Sequence, residues 1–508
     1  MTTPELSRFL LTSLEVMSTL FIFTIGLLVL VVLVLYVIDV RQTRDAIRHN
    51  YPVIGRFRYL LSHLGKFFRQ YFFAMDREEL PFNRAQREWV YGAAKDASNT
   101  RAFGSTKDIH APGSIVFMNC PFPTLDTDAV PPHPVTIGEH CQQPYTTASI
   151  VNVSGMSYGA LSRPAVQALS RGAWLGQCWL NTGEGGLSPW HLEGGADLVF
   201  QIGTAKYGVR DEAGRLDEAK LAAVAAHPQV RMFEIKLSQG AKPGKGGILP
   251  AVKVTEEIAR IRGIRPRTDS ISPNRHPEIE SNDDILDMVE RVRRVTGKPT
   301  GIKLVLGDPV WLDGFCQAIL RRGLHRAPDF ITLDGAEGGS GAAPMALMDA
   351  VGLSIREALP ALVDALVVHG LRERIRVIAS GKLITPVDVA WALCIGADFV
   401  NSARGFLFAL GCIQALQCNR NTCPTGITTH NPRLQSGLDV EDKAQRVANY
   451  VKNLHREVGI IAHSCCVPEP RKLCRCHARI VMPNGRSLGL HECHPDKVAT
   501  TAGTQTSE

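Results

Sequence analysis

Charge is scarce in this chain: Asp, Glu, Lys and Arg supply only 21% of its 508 residues, against 45% hydrophobic residues. That balance excludes a chain disordered throughout, which would be poor in apolar residues and rich in charge. A strong excess of one sign is also missing. The formal net charge is +7, and the basic residues gather near the N-terminus rather than along a recognition motif, so no nucleic-acid partner is expected. The thirteen cysteines do not form the even, dense framework of a small secreted domain. They cluster at 412–423 and 465–493, which points to metal or thiol chemistry in a reducing compartment. No early strand is followed by a Gly-x-Gly-x-x-Gly turn, which argues against a doubly wound dinucleotide fold.

One stretch has no charge at all. Val16–Ile38, VMSTLFIFTIGLLVLVVLVLYVI, runs for 23 residues, and at about 1.5 Å per residue it can cross a hydrocarbon core of roughly 30 Å. It is too long for a signal-peptide core, and no small-x-small cleavage site follows it. Arg41, Arg44, Arg48, Arg56, Arg58, Lys66 and Arg69 follow the run, while Arg8 alone precedes it. The positive-inside bias therefore predicts a single-pass protein of the cell membrane, with residues 1–15 outside, 16–38 spanning and the body in the cytoplasm. Residues 39–147 read as a basic juxtamembrane segment and a lead-in rich in Pro and Gly. The segment mixes basic and aromatic residues, as expected of a helix on anionic headgroups or of a helical subdomain packed on the body.

From residue 148 the pattern changes to short β-branched or apolar runs, each ending in a polar or glycine-rich loop and followed by a helical stretch. The runs are ASIVNVSG, CWLNTG, DLVFQIG, MFEIKLS, GIKLV, DFITLDG, RVIASG and DFVNSA. Eight alternations predict an α/β fold of the (β/α)8 TIM-barrel type over 148–460, with the site at the ends of the strands. Lys236 and Lys303 leave strand interiors, where an unpaired ammonium is costly, so anionic partners are expected. Glu184 and Asp334 are candidates, and a merely salt-bridged mouth is the structural alternative. QGAKPGKGGILP reads as a lid over an anion, and the polar excursion 265–283 as a second lid or a partner surface.

Cys412, Cys418 and Cys423 stand as Cys-x5-Cys-x4-Cys-Pro after the eighth run. Thiolates in short runs hold iron–sulfur clusters, whereas structural zinc requires a fourth ligand nearby. Three ordinary buried cysteines remain the alternative on spacing alone.

Taken together, SGMSYGALS, NTGEGG, EIKLSQGAKPGKGG, DGAEGGSGAAP and LGCIQALQCNRNTCPTGI resemble, in order, the synthase domain of glutamate synthases over roughly residues 100–460. The layout resembles bacterial members described as the FMN-binding glutamate synthase family. The resemblance implies FMN lined by Ser154, Met156, Ser157, Lys303, Gly338, Gly339, Gly381, Lys382 and Arg404. It implies a [3Fe-4S] cluster on Cys412, Cys418 and Cys423, and a 2-oxo or 2-imino acid held by Glu184, Lys236, Lys242 and Arg262. The reaction implied is reductive amination of 2-oxoglutarate, through 2-iminoglutarate, to L-glutamate. The partners implied are an ammonia source or separate glutaminase and an electron donor such as ferredoxin or a reductase subunit.

Three departures stand out. The family's synthases begin with an amidotransferase domain, whereas this sequence begins with the apolar run, so it is not expected to hydrolyse glutamine itself. Ile248 replaces the Gln usual in the lid, which removes a polar contact to 2-oxoglutarate and opens the substrate to a related acid. Asn419 stands where His is common. Two other functions compete: a membrane-anchored flavin and iron–sulfur electron-transfer module, or a flavin oxidoreductase on another substrate; and a non-redox barrel with Lys236 as nucleophile, which leaves the three cysteines without a role. Residues 439–459 predict an amphipathic helix closing the domain. The Cys/His-rich extension 461–508 offers Cys474-x-Cys476-His477 and His491-x-Cys493-His494 across the turn PNGR as a possible metal site, and ends in a disordered tail from 497.

Overall fold

The computed structural model describes residues 3–42, 45–98 and 100–498. The expected tail from 499 onward and Arg44 therefore lie outside the described residues. The chain divides into two compact units, 1–85 and 86–508.

In the first unit, Thr3–Arg41 is one helix. Its stretch Arg8–Arg41 is long and apolar enough to cross a membrane, with a mean hydropathy of 3.2 in its most apolar window and none of that window buried. Asp39, fully buried, ends this stretch by accepting from Arg48 and Arg56, at 2.8 and 2.7 Å, and from the Val53 N–H. Asp45 then caps the short helix Ala46–Asn50, and a longer helix, Ile54–Phe68, follows. Phe57, Leu60, Leu61, Phe67 and Phe68 on that helix are exposed.

The second unit begins with a lead-in that is less extended than its Pro and Gly content suggests. It contains β1 (Ile115–Phe117) and an antiparallel hairpin of β2 (Val135–Ile137) and β3 (Tyr145–Thr147). The hairpin brings Ile137 and Tyr145 onto Trp179, Met232, Phe330, Ile378 and Phe399 in one buried cluster. The strands that follow are β4 (Val151–Val153), β5 (Leu180–Asn181), β6 (Leu198–Ile202) and β7 (Val230–Lys236). After the two-residue β8 (Ile248–Leu249) and β9 (Ser270–Ile271) come β10 (Thr300–Leu304), β11 (Phe330–Asp334), β12 (Arg376–Ser380) and β13 (Phe399–Ser402). Strands β4–β7 and β10–β13 close into an eight-stranded parallel barrel. Each of the eight apolar runs supplies one strand, and the near-continuous burial along them is what a parallel sheet covered on both faces requires. β8 and β9 pair with each other outside the barrel, so the two predicted lids are stitched together at Ile248–Ile271 and Leu249–Ser270.

Helix Val440–Ser464 packs along Arg163–Leu175. The approach is close enough that a Cβ on Gly172 would sit 2.5 Å from Val447 Cβ. The long helix also lends His455, whose Nε2 accepts from the Ile150 and Val151 N–H groups at the entry to β4. Beyond it, β14 (Ala478–Val481) and β15 (Ser487–Gly489) form a hairpin across the PNGR turn, and β14 pairs with β1.

Candidate active site

The loops after the barrel strands meet at one mouth. After β4, the Met156 N–H donates to Asn181 O, and the His191 ring Nε2 contacts Met156 O at 2.9 Å, so Ser154–Ser157 is fixed by the Asn181 backbone and the His191 ring. After β5, a tight turn at Gly183–Gly185 carries Glu184. Gly183 has φ +64, and a Cβ there would lie 2.7 Å from the Ser157 N atom, so the turn needs glycine twice over.

Glu184 is the electrostatic centre of the mouth. Its carboxylate lies 3.1 Å from Lys236 Nζ, with both side chains largely buried. Burial alone would raise its pKa, but Lys236, Lys242 and Arg262 outweigh that and hold it below the ordinary carboxylate range. Lys236 also donates to Gln239 Oε1. Lys242 is buried, and its pKa is pushed down to about 8, first by burial and then by Lys236. Arg262 reaches in from helix Glu256–Arg262, donates to Ser270 Oγ at 3.2 Å and lies over the Tyr207 ring. Three cations thus face one carboxylate.

The second lysine of the sequence reading is closed off differently. Lys303 lies 3.4 Å from Asp334, and Asp334 accepts the Gly240 N–H at 2.9 Å. Burial lowers the Lys303 pKa, but Asp334 and Glu234 outweigh it and raise the value. Glu234 itself was not singled out by the sequence. It sits inside β7, 1% exposed, and accepts from Asn181, Gln201 and Thr332 at 2.9, 2.6 and 2.6 Å. The signal was a carboxylate in the middle of an apolar run, where only a fully bonded one is tolerated.

A cleft at this mouth is lined by Met156, Ser157, Glu184, Lys236, Lys242 and Arg262, together with Gly339, Arg404 and Cys418. Gln201, Gln239, Ser272 and Ile248 line it too. Ser154, Lys303, Gly338, Gly381, Lys382, Cys412 and Cys423 are not part of that lining. Of these, Gly338 lies against the Gly240 backbone and Gly381, with φ +135, against the Gly335 backbone, beneath the rim. Arg404 spans from the end of β13 to donate to Ser340 O at 2.9 Å, and a Cβ on Gly339 would strike its guanidinium at 2.6 Å. The glycine-rich loop after β11 is therefore held flat against a cation, as a cradle for an anionic or planar group requires.

The cysteine loop runs beside this cleft. Cys412 follows helix Arg404–Ala409, its carbonyl accepting from Tyr91 OH at 2.5 Å, and Cys418 reaches the cleft. Burial, with Cys418 and Cys423 nearby, pushes the Cys412 thiol up to about 11. Burial also raises Cys423, but hydrogen bonds from Thr425 and Thr428 hold it below the ordinary thiol value. Lys253, fully buried, donates to Ala160 O and Cys418 O at 2.6 and 3.3 Å and faces the Cys418 and Cys423 sulfurs electrostatically. Gln414, Leu416 and Asn421 all have left-handed φ, between 53 and 61°. Three strained non-glycine residues in one short loop mark a backbone shaped for a bound group rather than for packing. Three cysteines of one loop, with Cys418 and Cys423 acting electrostatically on Cys412 and a buried ammonium facing two of them, are donors of the type an anionic metal–sulfur group takes.

The chain matches the conserved region in glutamate synthase over residues 123–466. It is 41% identical over 490 residues to a glutamate synthase large subunit-like protein of Bacillus subtilis, covering 88% of this chain and 93% of that one. Over 313 residues it is 36% identical to an archaeal glutamate synthase (NADPH) of Methanocaldococcus jannaschii, covering 61% of this chain and 57% of that protein. Among solved structures, a mandelate oxidase mutant with a monooxide FMN adduct aligns with 84% of this chain and 99% of its own at 15% identity and a TM-score of 0.43.

Proposed function

The chain belongs to the glutamate synthase family, and from that premise we propose that it is an FMN-dependent oxidoreductase that reductively aminates 2-oxoglutarate, or a related 2-oxo acid, to the L-amino acid. The observation that carries the reading is the surplus of positive charge at the mouth, where Lys236, Lys242 and Arg262 face Glu184. When bound, FMN supplies hydride transfer to an imine carbon, and a [3Fe-4S] cluster supplies single electrons. Met156, Ser157, Gly339 and Arg404 would hold the flavin from the cleft, with Ser154, Lys303, Gly338, Gly381 and Lys382 behind them. Cys412, Cys418 and Cys423 would hold the cluster.

The protein's own part is binding, charge and exclusion of water. Lys242 and Arg262 clamp the carboxylates of the acid, which fixes the oxo carbon in one orientation and removes the entropy of finding it. Glu184, ionised and paired to Lys236, orients the attacking ammonia by accepting one of its N–H groups, and the oxo oxygen leaves as water with two of the ammonia's protons as the imine forms. Leu249 and Ile248 place an apolar wall on the lid side of the cleft. Ile248 offers no hydrogen bond to a second carboxylate, which favours an acid with a less polar far end as the second reading.

Ammonia comes from solution or from a separate glutaminase, and electrons come from a ferredoxin-like carrier or a reductase subunit. The Arg8–Arg41 stretch anchors the protein in the cell membrane by a single pass, with the barrel on the cytoplasmic side. Anaerobic purification of the full chain in detergent tests the reading. One FMN per chain and an oxidised-state [3Fe-4S] EPR signal, lost in Cys418→Ser with the flavin retained, are expected. A folded, colourless protein would overturn it.

A further inference from the structure

Away from the cleft, the chain enters β14 through Cys474-Arg-Cys-His477, and we propose that the dithiol form of this turn is a cation site of the zinc class. The two sulfurs and the imidazole Nδ1 lie within 4.8 Å of one another. Nδ1 is 3.2 Å from Cys474 Sγ and 3.7 Å from Cys476 Sγ. Zinc–sulfur and zinc–nitrogen bonds of about 2.3 and 2.0 Å in a tetrahedron put sulfur and nitrogen about 3.5 Å apart, which the two contacts bracket.

The donors are mounted on a fixed support. Arg475, between the cysteines, is buried; it pairs with Asp364 and donates to His494 O at 2.9 Å and Pro495 O at 3.3 Å. Its own positive charge is thereby neutralised away from the donors. The His477 carbonyl accepts the Met118 N–H at 2.9 Å, and the next residue begins β14. With Arg475 turned inward, both cysteines are exposed, so a cation can enter and keep a water in its fourth position. Among the described residues, the contact on Nδ1 that it must displace besides the sulfurs is the Cys474 N–H, at 3.0 Å.

In the structure Cys474 and Cys476 are joined as a disulfide. Exchange with a small-molecule thiol opens it: two thiols are oxidised to one disulfide as the Cys474–Cys476 bond is reduced. The two freed sulfurs then move apart toward roughly 3.8 Å and bind the divalent cation as thiolates, releasing two protons. Two thiolates and a neutral imidazole leave the loaded site without net charge.

The test uses the full chain in detergent, reduced with a phosphine under argon and titrated with Co2+, then with Zn2+. Wild type should take up one cobalt equivalent more than Cys476→Ser, with a thiolate-to-cobalt absorption that the variant lacks and that Zn2+ abolishes. His477→Ala should bind at least tenfold more weakly, and flavin content should be equal in all three. Equal cobalt uptake and equal spectra in wild type and Cys476→Ser would overturn the proposal. So would a Cys474–Cys476 bond that persists under the phosphine. Should the variants fail to fold, the wild type decides by itself: Zn2+ should slow alkylation of Cys474 and Cys476 at least tenfold by peptide mass spectrometry, and an unchanged rate would overturn it.

Discussion

The two ends of the barrel use the same chemistry to opposite ends. Below the strands, Asp329 is fully buried between Arg293 and Arg374, each 2.9 Å away, and accepts the Thr300 N–H at 2.9 Å. Above them, among the described residues, Glu184 faces Lys236, Lys242 and Arg262, and Lys236 pairs with it directly. In the lower cluster the two guanidiniums share one carboxylate and spend their remaining N–H groups on the carbonyls of His325 and Ala327, beside a hydrophobic plug. The upper one leaves positive charge for something else to answer. A surplus spent on backbone carbonyls reads as structure, and a surplus that faces an open cleft reads as a candidate site.

Removing charge at each end breaks the comparison most directly. Asp329→Ala leaves two buried guanidiniums unpaired and should cost about 3–5 kcal/mol of stability. Turnover per folded molecule should hardly change, as read by denaturant unfolding alongside the activity of the folded fraction. Glu184→Gln leaves Lys236 without its carboxylate and so costs stability too, but unlike Asp329→Ala it should also lose about a hundredfold or more in kcat per folded molecule.

Lys242→Met sharpens the contrast. Its ammonium is buried without a carboxylate of its own, so the substitution should leave the fold as stable or more so, while KM for the acid rises about tenfold and kcat moves less. The smallest effect is that of pH. Lys242 has its pKa lowered in the folded protein to about 8, so it is a cation below that value and neutral above it. KM for the acid should therefore stay flat up to about pH 8 and then rise, levelling off about tenfold higher once the amine is neutral. The same sign holds for stability: the buried ammonium costs most below about 8, and the cost fades as pH rises through that value. In Lys242→Met the rise in KM above pH 8 should vanish.

The barrel was legible because eight β-branched runs separated by helical stretches leave few other solutions, and the closed sheet uses all eight. The β2–β3 hairpin was not, since three-residue strands among Pro and Gly carry no readable period. Nor were β8 and β9: two residues each cannot announce a strand, yet their pairing makes one cover out of what read as two lids. The pairs at the mouth were partly legible, because Glu184 and Asp334 end strands beside lysines, and the structure joins them as Lys236–Glu184 and Lys303–Asp334. Glu234 escaped because a carboxylate inside EIKLS was absorbed into the strand. Its three partners come from β5, β6 and β11, distant in sequence and adjacent only once the barrel closes.

One single-turnover measurement goes to the centre of the account. The full chain in detergent, reduced anaerobically with excess reductant removed, is mixed with 2-oxoglutarate and ammonium, and the flavin absorbance and the amino acid formed are followed together. The flavin should reoxidise only when both are present, with one L-glutamate formed per flavin, and about a hundredfold more slowly in Glu184→Gln. Reduced protein that keeps its electrons in the presence of ammonium and every 2-oxo acid offered, while passing them readily to an artificial acceptor, would contradict the account and make the barrel an electron carrier.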